Sequence, residues 1–131
     1  MEQNEKTRAL LAAFGCALAY LLAGKALTAV LPQVPEEAAR MWAFVHRCAA
    51  APIVEELVFR GAIQQQARPL GERQAVALQA VLFAVQHRGP AGMAYALVCG
   101  LVLGTLRSRT GSVWPGMLLH TLNNLLVFAA G

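Results

Sequence analysis

Polar side chains that could carry out hydrolysis stand inside apolar stretches of this 131-residue chain. Glu55, Glu56 and Arg60 lie within the segment APIVEELVFRGAI. A charge at the centre of a membrane-spanning helix costs roughly 2.5 to 3.5 kcal/mol, so three of them need a reason. Glu56 and Arg60 are one helical turn apart and can neutralise each other. Glu55 points about 100° away from Glu56 around a helix, so it needs a partner from another helix.

Two imidazoles and an amide are candidates for that partnership. His87 follows Phe83 by one turn, and His120 precedes Asn124 by one turn, each in an apolar segment. Peptide hydrolysis needs a base that activates water, a donor to the oxyanion and a proton for the leaving amine. Carboxylate, imidazole and amide groups can together supply all three. A single histidine at this depth more often makes a helix-to-helix hydrogen bond, and His46 is assigned no role.

The composition indicates a membrane protein, with the lipid bilayer as its surroundings. Hydrophobic residues make up 57% of the chain and charged residues 14%, against about 25% charged in soluble domains. The formal net charge is +4, but the basic residues stand singly or in pairs, so no nucleic acid partner is expected. Cys16, Cys48 and Cys99 are too scattered to indicate a disulfide framework or a zinc knuckle.

Five apolar segments are predicted to cross the bilayer as helices. They run from about Ala9 to Leu31, Met41 to Gln66, Glu72 to His87, Ala91 to Leu106, and Trp114 to the C-terminus, with Pro32 closing the first. The predicted fold is therefore all-α, a polytopic membrane helix bundle of about five transmembrane helices in a single domain, residues 1–131. A cleaved signal peptide is the competing interpretation of the first segment, which is longer than an ordinary signal sequence.

The fourth segment carries a small residue at every fourth position, a pattern that lets another helix approach closely. This small-residue ridge consists of Gly92, Ala96, Gly100, Gly104 and Ser108. It predicts either packing inside the bundle or a homodimer.

The basic residues predict the orientation of the chain. If all five segments cross, one side of the membrane receives Lys6, Arg8, Arg68, Arg73, Arg107 and Arg109. The positive-inside rule assigns that side, with the N-terminus, to the cytoplasm.

The polar residues form three short motifs in order along the chain. They are Glu55-Glu56-x-x-x-Arg60, Phe83-x-x-x-His87 and His120-x-x-x-Asn124. In this order, on successive hydrophobic helices, they resemble the motifs of the CAAX-protease and bacteriocin-processing family, the type II CAAX prenyl endopeptidase-like intramembrane proteases. The resemblance makes residues 51–124 the predicted catalytic core and residues 1–35 an N-terminal transmembrane helix outside it.

The chemistry and the resemblance together give the catalytic residues their predicted roles. Glu55 lacks a local cation and is the predicted general base, beside Glu56. The resemblance implies that His87 holds the same water molecule and passes a proton. His120 and Asn124 share a helical face and are predicted to form the oxyanion pocket.

Two further residues are predicted to support the site. Arg60 fixes Glu56, and Phe83 packs beside His87. No cofactor is expected. The alternative is zinc held by Glu55, His87 and His120, since two histidines and a glutamate form many catalytic zinc sites, although no HExxH motif is present.

The predicted function is that of a glutamate-type intramembrane endopeptidase in a prokaryotic plasma membrane, acting on a membrane-associated peptide or protein. The alternatives from other classes are a non-catalytic scaffold or immunity protein and a small proton-coupled exporter. An exporter of this size carries its essential carboxylate in the first helix, and residues 9–31 contain no acid. A scaffold would be more stable with apolar residues in place of the three charges.

Overall fold

The computed structural model describes residues 2–30 and 35–131, and within them it contains helices and no strand. The all-α prediction is confirmed. In chain order the elements are α1 (Glu2–Val30), α2 (Glu36–Val45), the π-helix π1 (His46–Ala50), α3 (Ala51–Glu55), the π-helix π2 (Glu56–Ile63), α4 (Gln64–Ala67), a 3-10 turn (Arg68–Leu70), α5 (Glu72–Ala84), α6 (Gly89–Thr110) and α7 (Trp114–Ala129). The predicted end of the first helix at Leu31, and Pro32 after it, lie outside the described residues.

Two helices are long and apolar enough to cross a membrane, over Glu2–Ala29 and Gly89–Thr110. The other predicted spans are shorter or interrupted: α5 has 13 residues and α7 has 16. At 1.5 Å per residue these helices measure about 20 and 24 Å, less than the roughly 30 Å of a hydrocarbon core. The five-span bundle is therefore not confirmed, and the described part of the chain is an all-helical protein with two candidate spans.

The chain is helical from α2 through α4 but alternates between α and π geometry. Pro52, which is buried, explains the first change. Proline has no N–H and its ring clashes with the carbonyl four residues earlier, so a regular α-helix cannot continue through it. In π1 the bonds span five residues, as between the Ala51 N–H and the His46 carbonyl. Such π turns occur frequently at functional sites.

The helices α5 and α6 pack closely through the small-residue ridge. A β-carbon at Gly100 would lie 2.9 Å from the Ala80 Cα, so glycine is needed for this approach. The buried Gln79 donates from Nε2 to the Gly100 carbonyl over 2.7 Å, and Gln64 donates to the Gly104 carbonyl over 3.0 Å. The ridge therefore packs inside the bundle, and a dimer through it would have to open this contact.

The helix α1 contacts the bundle along one narrow face. Ala9, Ala13 and Ala17 are buried at intervals of four residues, and α1 packs against π2 and α4. Tyr20 is the next residue on this face and is half-buried, whereas residues 21–29 are exposed. Tyr20 therefore marks the end of the contact between α1 and the bundle.

Candidate active site

Glu56 and Arg60 lie at the centre of the candidate site, and both side chains are fully buried. Arg60 Nη1 lies 3.1 Å from Glu56 Oε1, and His120 Nδ1 lies 3.0 Å from the same oxygen. A carboxylate oxygen accepts, so Nδ1 of His120 carries the proton in this contact. The nitrogen of His120 that is left for chemistry is Nε2.

The first turn of α7 presses against the Glu56 carboxylate. A β-carbon at Gly116 would lie 2.7 Å from Glu56 Oε2, so the close approach requires glycine. Amides in the first turn of a helix form the positive end of its dipole and favour a carboxylate. Among residues 2–30 and 35–131, Glu56 Oε2 and the three guanidinium nitrogens of Arg60 have no hydrogen-bond partner of good geometry. Charge and close packing therefore hold this pair more than directed hydrogen bonds do.

Glu55 stands at the junction of α3 and π2, with 18% of its side chain exposed. Its Oε2 lies 3.6 Å from His120 Nε2, too far for a direct hydrogen bond. A water molecule or a carbonyl oxygen placed beside this gap can contact both atoms. Its Oε1 accepts a hydrogen bond from the Tyr20 hydroxyl over 3.3 Å. Partners for Glu55 thus come from α7 and from α1.

His87 lies beyond the end of α5, so the prediction that this helix reaches His87 was wrong. The chain turns after Ala84, where the N–H groups of Gln86 and His87 donate to carbonyls three residues earlier. Gly89, with φ of 72°, then redirects the backbone into α6. The His87 side chain is exposed, and its Nδ1 lies 3.0 Å from the Phe83 carbonyl. Nδ1 therefore donates, and Nε2 is free to meet another group.

The ring of Phe83 lies between the two imidazoles. Its centroid is 4.7 Å from that of His87 and 5.9 Å from that of His120, and both contacts are edge to face. The guanidinium carbon of Arg60 lies 4.5 Å from the same centroid, within the range of a cation–π contact. Phe83 is buried and so fixes the exposed His87 beside the buried cluster.

The side-chain amide of Asn124 is bonded to the backbone of π1. Its Nδ2 donates to the Arg47 carbonyl over 2.9 Å. In a π-helix that carbonyl would accept from the residue five positions later, which is Pro52 and has no N–H. Asn124 therefore satisfies an acceptor that Pro52 leaves open. The Cys48 sulfur lies 3.9 Å from the Asn124 carbonyl and adds to this contact between π1 and α7.

The structure brings together some of the predicted site residues and separates others. Glu55 and Glu56 both face His120, and Arg60 pairs with Glu56. His87 reaches the cluster through Phe83 in the described contacts. His120 and Asn124, predicted to bind one oxygen together, have different protein partners here. Their predicted roles remain predictions.

The sequence interpretation missed two residues that contact the carboxylates. Tyr20 carries a hydroxyl within an apolar helix, and a polar group in such a segment was the available signal of a polar contact. Gly116 follows Pro115 in the first turn of a helix, where a glycine indicates a close approach.

The three predicted zinc ligands do not form a metal site in this structure. Within residues 2–30 and 35–131, no group of three or more His, Cys, Asp or Glu side chains is placed to hold a metal ion. Glu55 and His120 are close together, whereas His87 is connected to them through the ring of Phe83. The zinc alternative stays a prediction.

A family model described as type II CAAX prenyl endopeptidase Rce1-like matches residues 37–126. The matched region begins within α2, contains all three motifs and leaves α1 outside. No significant match was found among curated proteins or among solved structures.

Proposed function

Because the chain belongs to the type II CAAX prenyl endopeptidase Rce1-like family of membrane proteases, we propose that it hydrolyses a peptide bond with a water molecule activated by Glu55. The observation that carries this proposal is the 3.6 Å approach of Glu55 Oε2 to His120 Nε2. Glu55 as the base and His120 as the group that polarises the substrate carbonyl then face the same position, as a hydrolytic site requires. The buried pair of Glu56 and Arg60 stands behind them.

The proposed reaction begins when Glu55 takes a proton from water and the water oxygen bonds to the carbonyl carbon of the substrate. Nε2–H of His120 donates to the resulting oxyanion. For this step the His120 ring, which lies between the two carboxylates, must carry a proton on both nitrogens. The second N–H of Asn124 is available for the same oxyanion. The C–N bond then breaks, and the amine leaves with the proton that Glu55 accepted, passed through Nε2 of His87.

The surroundings of His120 support an apolar substrate. A groove of about 190 Å³ between α6 and α7 reaches the imidazole, and its lining is mostly apolar. A hydrophobic side chain beside the scissile bond would fit there. The proposed substrate is therefore a membrane-associated peptide or protein.

The proposed location is a prokaryotic plasma membrane, with the N-terminus in the cytoplasm. Single cysteines introduced at Ser112 and at Ala91, near Gly89, in a chain without its native cysteines, test the orientation. We expect a membrane-impermeant thiol reagent to reach Ser112→Cys from the cytoplasmic face. Labelling of that position from the outside would reverse the orientation.

The catalytic proposal is tested with Glu55→Gln, His87→Ala and His120→Ala. Purified in detergent, each is compared with wild type on a panel of prenylated and unprenylated peptides, with folding followed by circular dichroism. We expect each variant to fold and to lose at least about 10²-fold in cleavage rate, as when a general acid–base group or an oxyanion donor is removed. His46→Ala is the matched control, since His46 is exposed and contacts no site residue in the described contacts. Full activity in all three variants would refute the proposal.

A further inference from the structure

Tyr20 contacts the proposed base from outside the matched family region. It belongs to α1, whereas the family model covers residues 37–126. Its hydroxyl donates to Glu55 Oε1 over 3.3 Å, while Glu55 Oε2 faces His120 Nε2 at 3.6 Å. The two oxygens of one carboxylate therefore have separate partners, on α1 and on α7.

The position of the Tyr20 hydroxyl is fixed by packing. The Tyr20 ring meets the ring of the fully buried Phe59 edge to face, with centroids 5.5 Å apart and planes at 80°. Phe59 belongs to π2, which follows Glu55 directly. The buried alanines of α1, ending at Ala17, allow α1 and π2 to pack at the distance that the contact between Tyr20 and Phe59 needs. The same packing thus fixes both ends of the hydrogen bond.

We propose that Tyr20 is a positioning residue for the general base, an inference that rests on the proposed function of Glu55. The terminal torsion of a glutamate side chain is broad, so an unpartnered carboxylate samples many orientations. Donation to Oε1 limits that rotation and keeps Oε2 directed at His120. Catalytic groups depend steeply on such orientation. The first helix is then part of the catalytic unit.

The test is Tyr20→Phe, which removes one oxygen atom and keeps the ring on Phe59. We expect kcat to fall about tenfold with KM unchanged, because the lost hydrogen bond orients the base and does not contact the substrate. Thermal stability should fall only slightly, because Glu55 is 18% exposed and water can replace the hydroxyl. Thr28→Val is the matched control. It removes another hydroxyl of α1, which is exposed and donates to the Lys25 carbonyl of its own helix, and should leave kcat unchanged. A wild-type kcat in Tyr20→Phe, or a loss confined to KM, would overturn the proposal.

A second readout does not depend on turnover. The infrared difference between wild type and Glu55→Gln identifies the carboxylate band of Glu55. We expect Tyr20→Phe to shift that band and Thr28→Val to leave it in place. If wild type cleaves no peptide of the panel, the proposed function fails while this measurement still tests the contact. An unmoved Glu55 band overturns the role of Tyr20.

Discussion

The two halves of the candidate site are built in different ways. In the carboxylate half, Glu55, Glu56 and His120 meet side chain to side chain between π2 and α7, at 3.0 to 3.6 Å. In the amide half, His87 and Asn124 each donate to a backbone carbonyl. The side chains of the carboxylate half are largely buried against one another, whereas His87 and Asn124 lie nearer the surface. Substitutions in the carboxylate half should therefore affect stability and activity together.

The largest effect on stability is expected from Glu56→Gln. It leaves the Arg60 guanidinium charged and buried without its partner, a change that typically costs about 3 to 5 kcal/mol. Unfolding by denaturant in detergent measures the free energy. The control is the double variant Glu56→Gln with Arg60→Met, which removes the stranded charge and should recover part of the loss. Wild-type stability in the single variant would show that the carboxylate half does not depend on this pair.

A comparison of His120→Ala with His87→Ala separates the two halves directly. Both variants should lose activity, but only the first should also lose roughly 1 to 3 kcal/mol of unfolding free energy, because it removes the His120 N–H that donates to the buried Glu56 Oε1. Denaturant midpoints of the two proteins, measured under identical conditions, provide the check. Equal midpoints would mean that the halves are not built differently.

A smaller and more specific effect is expected at Asn124. Asn124→Ala removes the donor to the Arg47 carbonyl, at a cost of about 0.5 to 1.5 kcal/mol, because this carbonyl lies near the surface and water can replace the amide. Adding Pro52→Ala restores an N–H five residues after Arg47 and should recover much of the stability. A double variant as unstable as Asn124→Ala would show that Asn124 does not compensate for the proline.

Local features of this fold were predictable, and interhelical ones were not. The Glu56–Arg60 pair follows from a spacing of four residues, and the ridge around Gly100 follows from its period. His120 lies beside both carboxylates because of the way α7 crosses π2, and no local sequence pattern predicts that crossing. The turn at His87 was missed because apolar periodicity continues to that residue while Gly89 bends the chain.

The contact between π1 and α7 also provides a built-in reporter. Cys48 is 3% exposed and its sulfur faces the backbone of Asn124, whereas Cys16 and Cys99 are half-buried on other helices. A buried thiol reacts with an alkylating reagent when local opening exposes it. The alkylation rate of Cys48 therefore measures how often α7 separates from π1. Comparing that rate with and without a bound peptide shows whether the peptide changes the equilibrium between the closed and the open contact of π1 with α7.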